Sequence, residues 1–489
     1  MNKKIIFPML TVLALAGCTS EPKIVPTMES EEMAAYIPGL TLKGLDDVRG
    51  NMYLPEEVDG LPITWTCDEP NIIHCEAIGD IAPGSVERPL ADTTVLLTAS
   101  ITKDGKVGSY TQEVTVKGLS YELTEDDYVG YLLVTFTGEG SANGEQVYMS
   151  LAPENEGFNF KSLNGNKPVL SSIASEKGVR DPFVYRSPEG DRFFIIATDL
   201  KVNNRPEGGW RNTPKGYTYP TVNGKHTLIL WETEDLTDWG DPKYIEVAPE
   251  NAGMAWAPEM TWHEETGQYV IFWSSCIIDD LSLPDDQKTK VKGDAVYYTT
   301  TRDFEHFGET KLFIDNQTDG VPENSNHPNG RNIIDATCTK IGDHYYAITK
   351  DGDNGDRDGG IRVFRSDDIL DYEAWEKVLD LDELGLPTSG TGVSSFDNTT
   401  LEGPALFQFN KCDWDDPNTP EWCIMGDRYN AGSGYLPFST TDIEDTTGSA
   451  WSIYPSSKFS WGNGGKRHGS VLKLTSDEAA AIADKWLAA

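Results

Sequence analysis

A repeat with a spacing of about 70 residues constrains the fold of this 489-residue chain more than any other feature. Five segments after residue 120 share one plan, in which a strand is followed by a Ser/Thr- and Asp-containing turn and a closing aromatic residue. The closing aromatics are Phe160, Trp239, Phe307, Trp375 and Trp451. Aromatic strands such as GDRFFIIATD and TGQYVIFWSS lie between these segments. Several short strands per unit, without a long helix before the C-terminus, predict an all-β fold with a five-bladed β-propeller over residues 119–489.

Each unit is expected to contribute one strand to the centre of the ring. The motifs typical of these inner strands are VRDPFV, AWAPEM, IIDATC, LEGPALF and RHGSVLKL. The fifth motif is close to the C-terminus, whereas its expected partners, YLLVTFTG and EQVYMSLA, open the domain. Pairing of these distant segments would close the ring without an exposed sheet edge. The tail TSDEAAAIADKWLAA predicts a short amphipathic helix with Thr475 as N-cap.

The first 18 residues have the features of an export signal. They contain two lysines, an apolar run too short to span a bilayer, and the ending Leu15-Ala16-Gly17-Cys18. This ending resembles the lipobox of bacterial lipoproteins, which implies a signal peptide at 1–17 and acylation of Cys18. The expected location is therefore the bacterial cell envelope, with lipid as the only membrane anchor. An ordinary secretory signal with an incidental cysteine is the alternative.

Residues 18–32 are polar and predict a linker, and residues 33–118 predict a small β-sandwich. Alternating runs such as TVLLTASIT and YTQEVTV are separated by Asp-Gly turns, and Trp65 is expected to be buried. This pattern resembles the immunoglobulin-like modules at the front of secreted bacterial glycosidases. A spacer without chemistry of its own is the simplest role for such a module.

The formal net charge of −39 excludes nucleic acid and anionic lipid surfaces as partners, because both would be repelled. A neutral or cationic partner and a monomeric chain are expected. Six cysteines remain besides Cys18. Two close pairs are candidates for local disulfides, and two further cysteines in apolar strands are expected to be buried free thiols. They are Cys67 with Cys75, Cys412 with Cys423, and the single residues Cys276 and Cys338.

Acidic residues recur in the inner-strand motifs. Asp181, Glu259, Asp335 and Glu402 enter four of them, and His468 enters the fifth. One carboxylate can cap a turn by itself, but four in successive units predict convergence on one small volume. Crowded carboxylates acquire different pKa values, so that one can act as an acid while another acts as a base. Glycoside hydrolysis requires such a pair.

The motifs RDPFV, WAPEM, NIIDAT, LEGPALF and RHGSV, in this order, resemble the inner-strand motifs of glycoside hydrolase family 43. The resemblance implies a five-bladed propeller and an inverting mechanism. It implies that Asp181 is the general base, that Asp335 tunes the pKa of the acid and orients substrate, and that Glu402 is the general acid. The expected enzyme is exo-acting and releases arabinofuranose or xylose from plant polysaccharides, with no required cofactor.

Four further residues are assigned to the substrate site, each with a structural alternative. Glu259 contacts substrate or braces its strand, and Arg180 steadies the charged base or forms a surface ion pair. Trp256 stacks on a sugar ring or packs in the core. His468 resembles a histidine that in some family members holds a water or a calcium ion at the propeller centre, and a purely structural histidine is the alternative.

Other features give weaker signals. Trp210, Tyr429 and Trp461 are secondary candidates for sugar stacking. The acidic run DGDNGDRDGG at 351–360 lacks the Glu of the EF-hand pattern, so it predicts a Gly-rich hairpin rather than a calcium loop.

Two other classes of function are compatible with the fold. A glycan-binding lipoprotein without turnover would be favoured by loss of one of the three catalytic carboxylates, and all three are present. The family also contains galactofuranosidases, and fructan-cleaving enzymes of a similar fold use a retaining mechanism. A retaining enzyme needs an Asp nucleophile on an earlier inner strand, typically in an Asn-Asp-Pro-type motif, and none precedes Asp181.

Overall fold

The computed structural model of the protein describes residues 27–140, 143–154, 156–202, 218–284, 287–288, 290–291, 293–315, 333–351, 360–393, 400–429 and 434–487. Short antiparallel strands dominate these ranges. Cys18 and Trp210 lie outside the described residues, as do residues 352–359 of the acidic run. The two ends of that run, Asp351 and Gly360, pair across an antiparallel strand pair. Among the described residues, no helix combines the length and apolar character needed to traverse a bilayer.

The N-terminal part contains two short helices and six strands. They are α1 (Ser30–Ala34), α2 (Ile37–Leu40), β1 (Glu57–Val58), β2 (Leu61–Cys67), β3 (Ile73–His74), β4 (Ser85–Val86), β5 (Thr93–Lys103) and β6 (Lys106–Val116). One antiparallel sheet has the order β1-β2-β5-β6, and β3 and β4 form a separate hairpin.

The predicted alternation is present in β5, whose buried and exposed side chains follow one another as expected for a sheet with one covered face. Trp65 is buried, and its indole N–H donates to the carbonyl oxygen of Pro55 at 2.8 Å. The covered face packs against residues of α1, α2 and the β3–β4 hairpin. Because β3 and β4 contain only two residues each, this second layer is not a full sheet as in a regular sandwich.

The remaining strands and helices follow in chain order. They are β7 (Tyr128–Phe136), β8 (Tyr148–Ala152), β9 (Phe158–Asn159), β10 (Lys161–Ser162), β11 (Arg180–Arg186), β12 (Phe193–Thr198), α3 (Thr218–Val222), β13 (Thr227–Thr233), β14 (Lys243–Glu246), β15 (Trp256–His263), β16 (Gln268–Ser275), β17 (Ala295–Thr301), β18 (Lys311–Ile314), β19 (Ile333–Ile341), β20 (His344–Asp351), β21 (Gly360–Ser366), β22 (Glu376–Asp380), β23 (Leu401–Gln408), β24 (Trp422–Arg428), β25 (Tyr435–Thr440), β26 (Trp451–Ile453), β27 (Phe459–Ser460), β28 (Arg467–Thr475) and α4 (Ser476–Trp486).

Most of these strands form five four-stranded antiparallel sheets. Sheets 1 to 4 are β11–β14, β15–β18, β19–β22 and β23–β26, and sheet 5 has the order β28-β7-β8-β10. The first strand of each sheet, called the inner strand below, contacts the inner strand of the next sheet. The strand β28 contacts both β23 and β11, so these contacts form a cycle. The predicted pairing of the C-terminal strand with the start of the domain is confirmed, since β28 pairs with β7.

Apolar side chains fill the space between neighbouring sheets. Four of the five predicted closing aromatics are buried and the fifth, Phe307, is half-buried; the four are Phe160, Trp239, Trp375 and Trp451. The predicted C-terminal helix is α4, and Thr475 caps it by accepting from the Glu478 backbone N–H. The Glu478 carboxylate accepts in return from the Thr475 N–H at 2.8 Å, which completes a capping box.

The N-terminal part contacts turns of sheets 1 and 2. Arg88 donates to the Asp191 carboxylate at 2.9 Å, and Arg302 donates to backbone carbonyl oxygens of the N-terminal part. The ring of Tyr53 stacks on His306 with 3.9 Å between centroids. These contacts attach the N-terminal part to the periphery of the sheets.

The predicted local disulfides are absent from the structure, in which all six described cysteines are free thiols. Cys423 is buried in β24, whereas Cys412 is exposed in a turn. Their sequence separation of eleven residues therefore does not bring the two sulfur atoms together. Cys276 and Cys338 are buried free thiols, as predicted.

Candidate active site

Every inner strand contains an irregularity near its first residues. The register with the second strand shifts between Arg180 and Phe183, Trp256 and Glu259, Ile334 and Thr337, Glu402 and Ala405, and Arg467 and Gly469. In four strands a residue of this bulge has left-handed backbone geometry, with φ of 49° at Asp181, 47° at Ala257, 54° at Asp335 and 52° at Gly403. Such geometry costs about 1–3 kcal/mol at a residue other than glycine and is typical of functional sites. Bulges re-aim the side chains that they contain.

The positions of the bulges align the five inner-strand motifs differently from the alignment based on their acidic residues. Asp181 and Asp335 occupy the same bulge position, but Glu402 lies one residue before it and Glu259 two residues after it. Alignment on the acidic residues was therefore wrong for two of the four. The proline that follows the bulge residue in RDP, WAP and EGP was the better sequence marker, because it fixes the position within the bulge.

His468 lies between two of the predicted catalytic residues. Its Nδ1 lies 3.4 Å from Asp181 Oδ1 and 3.9 Å from Asp335 Oδ2. Burial lowers the pKa of His468, but the charges of Asp335, Asp181 and Glu259 outweigh it and raise that pKa to about 9. At neutral pH the imidazole is therefore a cation between two carboxylates.

The pKa values of the two aspartates move in opposite directions. Burial raises the pKa of Asp181, but the hydrogen bond and charge of His468, with help from Arg180 and Thr198, bring that pKa below its ordinary value. The Thr198 hydroxyl donates to Asp181 Oδ2 at 2.9 Å. Burial raises the pKa of Asp335, and the charge of Asp181 adds to this effect, so the net shift is upward. Of the two carboxyl groups, Asp181 therefore has the lower pKa.

Glu402 has the protonation behaviour of an acid near neutral pH. Burial and the charges of Asp335 and Asp427 raise its pKa to about 7, against the opposing effects of Arg467 and His468. Its Oε1 accepts a hydrogen bond from Arg467 Nη2 at 2.5 Å. The adjacent Gly403 N–H donates to Asp335 Oδ2 at 3.1 Å. The structure thus brings the three predicted catalytic carboxylates together.

Position 403 requires glycine for two reasons, its left-handed backbone conformation and the closeness of the His468 ring. Its φ is 52°, and a Cβ at this position would lie 2.4 Å from Cγ of the His468 ring. The absence of a side chain lets the imidazole approach the backbone beside Glu402.

We expect Gly403→Ala to lower the stability of the protein by about 2–4 kcal/mol, the sum of left-handed strain and overpacking, and to reduce any activity of the site. Gly342→Ala is the matched control, since its φ is 65° and nothing lies within 4 Å of the added Cβ. Thermal or denaturant unfolding of the two variants measures the difference. Equal losses of stability would show that the His468 ring yields to the new methyl group.

Arg180 is not a plain surface residue. Its guanidinium group donates to Glu139 at 2.5 Å and contacts Glu145 at 3.3 Å, and it lies 4.6 Å over the ring of Phe136. Its charge contributes to the lowered pKa of Asp181. This agrees with the expected steadying of the charged base, through space rather than through a direct ion pair.

Glu259 is enclosed at the centre of the sheets. It is 2% exposed, and its Oε2 lacks a hydrogen-bond partner within the described residues. Burial raises the pKa of Glu259 well above its ordinary value, despite a hydrogen bond with Thr337. A carboxyl group enclosed in this way fits the bracing role better than a substrate contact.

The predicted stacking aromatics have different surroundings. Trp256 is half-buried against Leu200 and Val202, which leaves part of its indole available. Tyr429 is half-buried with Lys350 Nζ 5.4 Å from its ring centroid. Trp461 is buried, and its N–H donates to the Tyr435 carbonyl oxygen at 3.0 Å, so it packs in the core.

The metal role predicted for His468 is indirect, with a water molecule between the imidazole and the ion. Within the described ranges, no group of three or more His, Cys, Asp or Glu side chains is arranged to hold a metal ion. Contact with a calcium ion through water stays a prediction.

Two functional candidates were missed in the sequence. Arg467 contacts Glu402, and its Nε donates to Asp427 Oδ2 at 2.7 Å. Arg467 directly precedes His468 in the RHGS motif, which was a usable signal. Asp427 lies opposite Glu402 in the register of β23 and β24, and only the pairing of these strands reveals it.

Comparisons with known proteins identify both parts of the chain. Residues 126–480 match the model of a probable glycosyl hydrolase domain related to glycoside hydrolase family 43, and residues 38–119 match an atrophied bacterial Ig domain. An alpha-L-arabinofuranosidase of Bifidobacterium longum subsp. longum is 32% identical over 372 residues. The match covers 72% of this chain but only 31% of that relative.

Two solved structures show low similarity. An alpha-L-arabinofuranosidase from Lactobacillus brevis has a TM-score of 0.34 at 12% identity, covering 56% of this chain and 72% of that one. An endo-1,4-beta-xylanase from Bacteroides thetaiotaomicron has a TM-score of 0.39 at 11% identity, covering 68% and 96%. On the family match over residues 126–480, the chain belongs to the glycosyl hydrolase family related to glycoside hydrolase family 43.

Proposed function

We propose that the protein is an inverting, exo-acting glycoside hydrolase that releases arabinofuranose or xylose from plant polysaccharides. One observation carries this proposal: Asp181 and Glu402 lie in one cluster with opposite protonation preferences. The pKa of Asp181 is below its ordinary value, whereas the pKa of Glu402 is about 7. An inverting glycosidase needs one ionised and one protonated carboxyl group at the same pH.

The chemistry assigned to each residue follows from its protonation state. Asp181 accepts a proton from water while the water oxygen attacks the anomeric carbon from one face of the sugar. Glu402 donates its proton to the glycosidic oxygen as the bond to that carbon breaks. Asp335, whose carboxylate accepts from the Gly403 N–H, keeps the acid in position and helps to hold its pKa high.

We infer that the five sheets form a five-bladed β-propeller with the carboxylate cluster at its centre. The cyclic contacts of the inner strands and the pairing of β28 with β7 support this architecture. A propeller explains why residues far apart in the sequence meet, since each blade supplies one inner strand.

The proposed preference for arabinofuranose is based on similarity to one curated protein. The curated protein that is 32% identical over 372 residues is an alpha-L-arabinofuranosidase, which favours arabinofuranose for this chain. The chain spans about a third of the length of that protein. Xylosides, galactofuranosides and fructosides are the competing substrates.

A panel of aryl glycosides tests the proposal. The panel consists of an α-L-arabinofuranoside, a β-xyloside, a β-galactofuranoside and a β-fructoside, each with Asp181→Asn as the inactive control. We expect hydrolysis of the arabinofuranoside or the xyloside, and NMR of the first product should show an inverted anomeric centre. Retention would exclude the inverting mechanism. Binding without turnover of any glycoside would favour a glycan-binding lipoprotein.

We also propose that the protein is exported and anchored by lipid on Cys18, which supports a role at the cell envelope. In cells that express the full chain, Cys18→Ser should move the protein from the membrane fraction to the soluble fraction. An unchanged membrane fraction would contradict lipid anchoring through this residue.

A further inference from the structure

We propose that Asp427 is a positioning residue that controls the acid Glu402 through Arg467. The inference rests on the proposed function, because it assigns Asp427 a role only if Glu402 donates a proton. Asp427 itself is not a catalytic residue, since it acts on the acid through the guanidinium group of Arg467.

Asp427 is fully buried near the C-terminal end of β24, opposite Glu402 of β23. It is 0% exposed, and its Oδ2 accepts from Arg467 Nε at 2.7 Å and from the His468 backbone N–H at 3.1 Å. Its Oδ1 has no hydrogen-bond partner within the described residues. A buried carboxylate that is only partly paired is costly, so this position needs a reason beyond packing.

Arg467 links Asp427 to Glu402. The guanidinium group is planar and rigid, so fixing Nε on Asp427 also fixes the direction of Nη2. That second nitrogen donates to Glu402 Oε1 at 2.5 Å. The ring of Phe136 lies 5.5 Å from the guanidinium carbon on another side. Arg467 therefore has one defined position in which it contacts both carboxylates.

The arrangement balances two requirements of an acid. Before the reaction Glu402 must hold its proton, and the negative charge of Asp427 favours the protonated form. After the proton has left, the new carboxylate must be stabilised, and Arg467 supplies a charged donor at Oε1. Without Asp427, the full charge of Arg467 would act on Glu402 and keep it ionised.

Other charged groups also surround Glu402. The charged groups that face Glu402 lie on neighbouring strands: Arg467 and His468 on β28, Asp427 on β24 and Asp335 on β19. Lys350 on β20 faces the strand of Glu402, where it donates to the Leu401 carbonyl oxygen. Replacement of Asp427 or Arg467 leaves the other charges in place. The effects of the two replacements on the proton of Glu402 must then have opposite signs.

The test compares kcat/KM against pH for the full chain and for two variants, on a glycoside of the preferred sugar whose leaving group must be protonated. In the unmodified enzyme, kcat/KM should fall as pH rises through about 7. Asp427→Asn should move this fall to lower pH by about one unit, and Arg467→Met should move it to higher pH by a similar amount. With a poor leaving group, we expect Asp427→Asn to lower kcat at pH 7 about fivefold. With a dinitrophenyl leaving group, which needs no acid, kcat should change less than twofold.

Asp380→Asn is the matched control. Asp380 Oδ1 lies 2.7 Å from Arg362 Nε in an ion pair, and the same guanidinium group lies 3.0 Å from Asp351, so an arginine is again placed between two carboxylates. This group is in sheet 3 and does not contact Glu402. The pH profile of Asp380→Asn should match that of the unmodified enzyme.

Each outcome separates this proposal from the proposed function. If the unmodified protein hydrolyses none of the glycosides, the proposed function fails and this inference fails with it. If the protein is active but the two pH shifts are absent or have the same sign, only this inference is overturned. Equal losses with both leaving groups would assign Asp427 a purely structural role. Should Asp427→Asn not fold, Arg467→Lys keeps the charge but cannot bridge both carboxylates, and it must show the same leaving-group dependence.

Discussion

Asp181→Asn is expected to lower kcat about 10²–10⁴-fold, with the fold retained. The amide has nearly the same shape as the carboxylate but cannot accept a proton from water. Asn also tolerates the left-handed backbone better than other residues with a side chain, so the φ of 49° at this position should be kept. Steady-state kinetics on the best glycoside, together with thermal unfolding, measures both parts of the expectation.

The control for this variant is Asp413→Asn. Asp413 accepts a hydrogen bond from the Tyr131 hydroxyl at 2.6 Å, in the turn that follows β23 and thus at the other end of that strand from Glu402. Its replacement also removes a carboxylate but should leave kcat within about twofold, as is usual for changes away from the reacting groups. Unaltered turnover in Asp181→Asn would remove the assignment of the general base.

Glu402→Gln is expected to have an effect of similar size that depends on the leaving group. A glycoside whose leaving group must be protonated should lose about 10²–10⁴-fold in kcat, because the amide has no proton to donate. An aryl glycoside with an acidic phenol as leaving group should be almost unaffected. The fall of kcat/KM above pH 7, which follows loss of the Glu402 proton, should also disappear in this variant.

Glu421→Gln provides the comparison for the acid. Glu421 is 9% exposed, burial raises its pKa as it does that of Glu402, and it lies at the opposite end of the same strand pair. Its replacement should preserve both kcat and the fall above pH 7. If Glu402→Gln slowed glycosides with good and poor leaving groups equally, Glu402 would not be the proton donor.

The arrangement of the sheets could be predicted from the sequence because the strand pattern that indicates it occurs five times. Five similar units reinforce one another, so a strand assignment that is ambiguous in one unit is fixed by the others. The pairing of β28 with β7 followed from the displaced motif at the C-terminus. The convergence of Asp181, Asp335 and Glu402 followed from the position of their motifs at the start of the inner strands.

The finer geometry depended on interactions between distant segments. The bulge shifts Glu259 and Glu402 away from the position of Asp181, and no local pattern of hydrophobic residues reports a shift of one or two residues. Asp427 became visible only through its pairing opposite Glu402. The cysteine pairs were proposed from sequence separation alone, and separation does not determine the direction of a side chain.

The left-handed backbone conformation at the recurring bulge does not depend on which side chain occupies the position. Asp181, Ala257, Asp335 and Gly403 share one left-handed conformation, although their side chains range from a carboxylate to a hydrogen atom. The same backbone conformation therefore carries different residues in successive sheets. Of the four positions, Ala257 is the one at which a replacement removes neither a proposed catalytic carboxylate nor the space that the His468 ring occupies beside Gly403.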